Sequence, residues 1–199
     1  MSGTHFLIGI RTDKYVILAS DRSCFAHGAI VVTDDEEKKF TLGDKLVMIC
    51  IGEDGDVAQF GDWCKRNVQL YKLRYGYEMS PRASHHWIRR SIAEALRTQD
   101  YYAVDTLIGG YDSTENKAFL GSVDYLGNDI ADQTKHIGMV SLYVTNVLFD
   151  HKDMTEAEGI DLLNKCLYES KRRFIVNLPS FGVMVIDKNG MRQLENIKI

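Results

Sequence analysis

Three residues able to act on one another chemically fall within the first forty positions: His5, Asp21 and Lys38. His5 opens an alternating apolar and polar run that ends at Arg11, Thr12-Asp13-Lys14 interrupts it, and residues 15–19 resume it before Ser20-Asp21-Arg22. This pattern reads as two short strands closed by a tight turn. An aspartate just past a buried strand and a lysine seventeen residues later both point back to where the first strand begins. A nucleophile at that spot would have a carboxylate and an ammonium beside it. The sequence places an imidazole there instead, with four residues ahead of it. Without a nucleophile, Asp21 and Lys38 read as a partly buried ion pair, retained because removing one charge would strand the other.

The remaining chemistry-bearing clusters carry less. His85 and His86 are adjacent, and adjacent positions on a helix point in different directions, so no shared metal is expected and both read as surface or interface residues. Residues 33–37, Thr-Asp-Asp-Glu-Glu, lack regular ligand spacing and read as a solvated loop. Gly52-Glu53-Asp54-Gly55-Asp56 lacks the alternate acidic ligands and closing glutamate of a calcium loop. Gly109-Gly110 sits inside an apolar run without the lysine or helix start of a phosphate loop, so close backbone packing accounts for it. Cys24, Cys50, Cys64 and Cys166 are widely spaced and form no CxxC pair. They read as buried free thiols, which suit a reducing compartment. No cofactor and no metal is expected.

These residues need elements to position them. Residues 29–33 read as a third short strand and 45–51 as a strand apolar on both faces. Acidic residues 53–56 are expected to cap a helix in which Val57, Phe60, Cys64, Val68 and Tyr71 recur at helical spacing until Gly76. Ser80-Pro81 opens a second helix with a stripe through Trp87, Ile88, Ile92, Ala95 and Leu96. Residues 104–111 and 118–125 read as strands around a turn, and 141–149 as a short apolar helix. Thr155-Glu156-Ala157-Glu158 has capping-box spacing, and Lys171-Arg172-Arg173 closes that helix rather than forming a targeting signal. Residues 181–186 and 191–197 read as strands joined through Lys188-Asn189-Gly190. Helix pairs that need a sheet face, and strands too apolar to leave a face wet, imply an α+β, four-layer α-β-β-α sandwich of two stacked, mainly antiparallel sheets.

Bulk composition narrows the setting. The 199 residues, 45% hydrophobic and 26% charged with two prolines, suit one domain over 1–199 that buries about 70% of its unfolded surface. A net charge of −4 gives no broad basic field, so neither nucleic acid nor an anionic membrane is indicated. No apolar run reaches the ~18 residues of a membrane span. The N-terminus lacks the basic start and small-residue cleavage site of a secretory signal. Cytosol is expected, with the nucleus open.

Four stretches carry a family likeness: Ala-Ser-Asp-Arg at 19–22, Ile-Gly-Glu-Asp-Gly-Asp at 51–56, the capped helix from Thr155, and Val-Met-Val-Ile-Asp-Lys-Asn-Gly at 183–190. The chain resembles proteasome beta subunits over nearly its whole length. Asn-Val-Gln-Leu-Tyr-Lys at 67–72, Gly-Tyr-Glu at 76–78 and Arg-Phe-Ile-Val-Asn-Leu-Pro at 173–179 narrow the likeness to one branch of that family.

The resemblance implies the N-terminal nucleophile hydrolase fold. Active members free a threonine by self-cleavage after glycine; its hydroxyl attacks a peptide carbonyl and its α-amine, with a pKa of ~7.7 to 8.0, serves as base. A lysine and an aspartate set the local field, and a glycine N–H stabilises the oxyanion. Carried onto this chain from Gly9, the nucleophile falls on His5, the aspartate on Asp21, the lysine on Lys38 and the oxyanion glycine on Gly52. The further supports, normally serine, aspartate and serine, fall on Met139, Asn177 and Ser180. The resemblance therefore implies a non-catalytic subunit whose partners are other alpha and beta subunits in stacked seven-membered rings, with assembly chaperones as additional partners, in cytoplasm and nucleus. One alternative is an active threonine peptidase processed at Gly3-Thr4, although Thr4 is one residue out of register and faces the other side of a strand. Another is a free-standing binding module on the same fold, which would be a monomer or small oligomer with a mostly polar surface.

Overall fold

The computed structural model describes residues 5–26, 30–131, 136–140, 143–144, 154–173 and 178–199. In chain order the elements are β1 (Phe6–Arg11), β2 (Tyr15–Asp21), β3 (Cys24–Ala26), β4 (Ile30–Thr33), β5 (Lys39–Gly43), β6 (Leu46–Gly52), α1 (Asp54–Tyr75), α2 (Pro81–Ala95), β7 (Val104–Asp112), β8 (Lys117–Val123) and β9 (Asp129–Ala131). There follow β10 (His136–Val140), β11 (Tyr143–Val144), α3 (Glu156–Arg173), β12 (Ser180–Asp187), β13 (Gly190–Gln193) and β14 (Ile197–Lys198).

The described strands form two large antiparallel sheets and a separate two-stranded one, β3-β4. One large sheet runs β11-β10-β1-β2-β12-β13, with β14 also on β12, and the other runs β5-β6-β7-β8-β9. The apolar residues of each strand divide by parity between its two faces, as period-two geometry requires. Phe6, Ile8, Ile10, Ile17, Val183 and Val185 pack toward α3 with Leu163 and Leu167. Leu7, Val16, Leu18, Val47, Ile49, Leu107 and Leu120 meet between the sheets. Met48, Cys50, Ile108 and Phe119 pack toward α1 and α2 with Phe60, Cys64, Ile88 and Ile92. Three apolar interlayers therefore separate four layers, α3, sheet, sheet, and α1 with α2. The sheets approach closely enough that a Cβ on Gly109 would lie 2.8 Å from Leu18 Cδ1 and one on Gly9 2.7 Å from Leu120 Cδ1. Close packing, not phosphate, explains Gly109.

Helix ends follow local chemistry. Ser80 caps α2 by accepting from Ala83 N at 3.3 Å, and Gly76 closes α1 in the left-handed region at φ 77°. The Thr155 capping box forms, with Thr155 N donating to Glu158 Oε2 at 2.7 Å and Glu158 N to Thr155 Oγ1 at 3.4 Å. Tyr15 Oη reaches across from β2 and donates to Thr155 O at 2.9 Å, pinning that end of α3. Burial first, and then the Glu156 and Glu158 carboxylates, push the Tyr15 phenol up to about 12.

Several expectations need correction. Tyr143–Val144 is a strand paired with β10 through Met139↔Val144 and Val140↔Tyr143, not part of a helix. Short apolar runs are ambiguous by periodicity, and the available sheet edge decided this one. The rest of 141–149 lies outside the described residues. The final strand is broken into β13 and β14, and Cys24–Ala26 adds a short strand that polar Arg22-Ser23 concealed. α1 has Glu53 at its N-cap without a side-chain cap bond; Asp56 instead accepts from Ala103 N at 2.8 Å. His85 is buried rather than superficial, its ring 5.5 Å from that of Phe119 and its Nε2 3.2 Å from Ser122 O. The bare backbone of Gly121 makes room for it.

All four cysteines are free. Cys50 and Cys64 are fully buried, whereas Cys24 and Cys166 are half-buried.

Candidate active site at the start of the first strand

Asp21 ends β2, Lys38 immediately precedes β5, and His5 immediately precedes β1. Each is fixed by main-chain pairing. β1 and β2 are in register through Leu7↔Ser20, and β2 is held on its other side through Phe181↔Asp21. Lys38 O accepts from Cys50 N at 3.0 Å, which ties its backbone to β6. All three side chains are buried, Asp21 at 0% exposure.

The ammonium of Lys38 lies 2.5 Å from Asp21 Oδ2, 2.7 Å from Ser23 O and 2.9 Å from His5 Nδ1. An ammonium has three N–H donors and no acceptor, so these three contacts use it completely, and Nδ1 of His5 also lies 3.4 Å from Asp21 Oδ2. Asp21 is equally engaged. Its Oδ1 accepts from Phe6 N at 2.8 Å and its Oδ2 from Ser23 N at 3.2 Å. Burial alone would raise the Asp21 pKa, but the contacts with His5 and the Lys38 charge outweigh it and hold the carboxyl below its ordinary value. Glu36 Oε2 sits farther out, 3.7 Å from Lys38 Nζ. The result is a closed polar knot in which every charge has a partner.

The other sequence-derived positions fare differently. Gly52 ends β6 at φ +145°, and a Cβ there would lie 2.0 Å from Ala103 O. The chain crossing alone therefore demands glycine, whatever its amide does. Met139 lies on β10, in register with Leu7. Ser180 begins β12; its hydroxyl donates to Asp34 O at 3.4 Å and its carbonyl accepts from Arg22 N at 3.2 Å, so its hydrogen bonds go to the acidic loop and to the end of β2. Asn177, and the Gly3-Thr4 dipeptide, lie outside the described residues.

Ser23 was missed. Its amide and carbonyl complete the Asp21 and Lys38 shells, and the signal was available, since an aspartate commonly accepts from the amide two residues on. The nearby thiol is no replacement nucleophile: burial, with the Glu36 and Asp54 carboxylates adding, pushes Cys24 up and keeps it protonated. The knot offers an imidazole, a carboxylate and an ammonium, with no hydroxyl or thiolate among the three. Among the described residues no group of three or more His, Cys, Asp or Glu is placed to hold a metal. No described helix is long and apolar enough to cross a membrane.

The family model described as "Proteasome subunit" matches residues 1–186. The chain belongs to the proteasome subunit family. It is 56% identical over 196 residues to proteasome subunit beta type-2 of Caenorhabditis elegans, covering 97% of this chain and 98% of that one. It is 36% identical over 194 residues to proteasome subunit beta type-4 of Saccharomyces cerevisiae, covering 96% and 98%. It is 31% identical over 189 residues to proteasome subunit beta type-2-B of Arabidopsis thaliana, covering 94% of each chain. The two stacked sheets with outer helices are accordingly the N-terminal nucleophile hydrolase fold of a proteasome subunit. Within it, the knot lies where β1 begins, with His5 immediately before Phe6.

Proposed function

We propose that this chain is a non-catalytic beta subunit of the 20S proteasome core, one member of a seven-membered beta ring stacked on a second beta ring and flanked by alpha rings. Its work is geometric: it closes the ring, forms part of the chamber wall and supports neighbouring subunits that cut peptides during ubiquitin- and ATP-dependent degradation. The observation that carries this reading is the third contact of Lys38. At the position where the resemblance places a nucleophile, the ammonium is spent on an imidazole 2.9 Å away. Removing a protease nucleophile lowers turnover by roughly 10⁶.

The surface supports assembly over a free-standing module. Ile30 and Val32 are 62% and 64% exposed, and Leu73 is 76% exposed. Apolar side chains left this open in one chain are suited to cover by partners. Other alpha and beta subunits are the proposed partners, with assembly chaperones acting before the ring closes. The proposed setting is cytoplasm and nucleus.

Labelling intact particles with a threonine-directed covalent inhibitor tests the non-catalytic assignment. No adduct is expected on this chain, and an adduct would refute it. The Gly3-Thr4 dipeptide supports the second reading, an active subunit that frees Thr4. Intact mass separates the two, because loss of residues 1–3 favours activity.

A further inference from the structure

β5 is the outer strand of its sheet, bonded only to β6 among the described strands, and α1 runs against it. Beside them lies an open groove of about 450 Å³, a volume typical of recognition sites. Its floor is apolar, made by Leu42 of β5, Val68 of α1, Met79 of the α1–α2 connection and Met191 of β13. The thioethers give that floor an adaptable shape. Regular strand addition at β5 is obstructed, because the register shifts between Thr41 and Gly43 and such bulges break edge pairing. Recognition there falls to side chains.

Two ammonium groups stand on the rim, and they differ. Lys72 is compensated by Glu78 Oε1 at 2.7 Å and by Asp44 Oδ2 at 3.6 Å. Lys65, two turns earlier on the same helix face, has no hydrogen-bond or ion-pair partner among the described residues. An apolar floor bordered by one uncompensated cation complements an apolar side chain with a carboxylate close beside it. We infer that the groove receives such a segment from another subunit of the assembly, its apolar residue on the Leu42–Met79 floor and its carboxylate on Lys65. This rests on the subunit reading above and names one surface through which it operates.

A water-soluble carbodiimide applied to intact particles tests it. The reagent condenses an amine with a carboxylate in contact, forming an amide while the carbodiimide takes up the elements of water to become a urea; digestion and mass spectrometry then locate each link. The expected product joins Lys65 to an aspartate, glutamate or terminal carboxylate of another subunit, within two positions of an apolar residue. The link should be lost in particles carrying Lys65→Arg, which keeps the charge but has no primary amine, and should persist with Lys72→Gln. Links from Lys65 only within its own chain, links to a wholly polar segment, or no link in an assembled particle all overturn the groove assignment while leaving the subunit reading in place. A chain that never co-sediments with other subunits overturns both.

Discussion

The knot at Lys38 and the bridge at Lys72 join the same functional groups, an ammonium and two carboxylates, in opposite settings. Lys38 meets Asp21 at 2.5 Å with both side chains almost fully buried, whereas Lys72 meets Glu78 at 2.7 Å with both well exposed. Contact lengths this similar carry different consequences. In water each partner at Lys72 is solvated when the other leaves, so the pair holds little. At Lys38 a departing partner leaves a charge stranded among β-strands, so the pair is hard to dismantle. Burial, not contact distance, makes the knot a structural element.

The largest expected effect breaks the buried side alone. Lys38→Met leaves Asp21 ionised and unpaired, and should destabilise the chain by about 3–5 kcal/mol, measured by urea denaturation. The double variant Asp21→Leu with Lys38→Met should recover a large part of that loss, since exchanging a whole buried pair for apolar groups is often close to neutral. A double variant worse than Lys38→Met would show that the Phe6 and Ser23 amide bonds to Asp21, rather than the Lys38 charge, dominate the site.

Next comes the third acceptor. His5→Thr restores a hydroxyl residue but removes the imidazole nitrogen that Lys38 uses, and should cost about 1.5–3 kcal/mol, the ordinary worth of a hydrogen bond to a charged group. No inhibitor adduct should form on this variant. The hydroxyl would sit on a residue whose nitrogen is still acylated by the preceding residue, with no free α-amine to act as base. Labelling of unprocessed His5→Thr would show that the missing hydroxyl alone silences the site.

Much of this was legible from residue order. The doubly apolar strands, the capping box at Thr155 and the close-packed Gly109 each follow from local pattern, and the likeness at residues 19–22 and 183–190 led to the fold. Asp21 and Lys38 could be placed together because both lie at strand ends, where one residue of register error changes little. What escaped depended on partners distant in sequence. Tyr143–Val144 became a strand because β10 offered an edge. His85 became core because Gly121 lacked a side chain.

pH separates Asp21 from a second buried group, Tyr15. Asp21 is held below the ordinary value of 3.8, so its contribution to stability is fully present above that value and is lost as pH falls through the lower folded pKa. Tyr15 has the opposite sign. Its phenol is raised from 10.0 to about 12, so its contribution is complete below 10 and is lost as pH rises toward 12. Tyr15→Phe should flatten the alkaline limb of a stability profile and leave the acid limb unchanged; an unchanged alkaline limb would place the loss elsewhere.

The smallest effect belongs to the exposed bridge. Lys72→Ala removes an ammonium that water can replace on both Glu78 and Asp44, so the urea midpoint of the isolated chain should not move measurably. Adding salt should likewise leave the Lys38 knot intact while screening Lys72, because buried charges are screened far less than exposed ones. If Lys72→Ala destabilised the chain as strongly as Lys38→Met does, burial would not be what distinguishes the two lysines. The ordered turn from Gly76 to Glu78, where Tyr71 Oη bonds Tyr77 Oη at 2.8 Å, would then be the place to look, since it fixes Glu78 beside α1 independently of the charge.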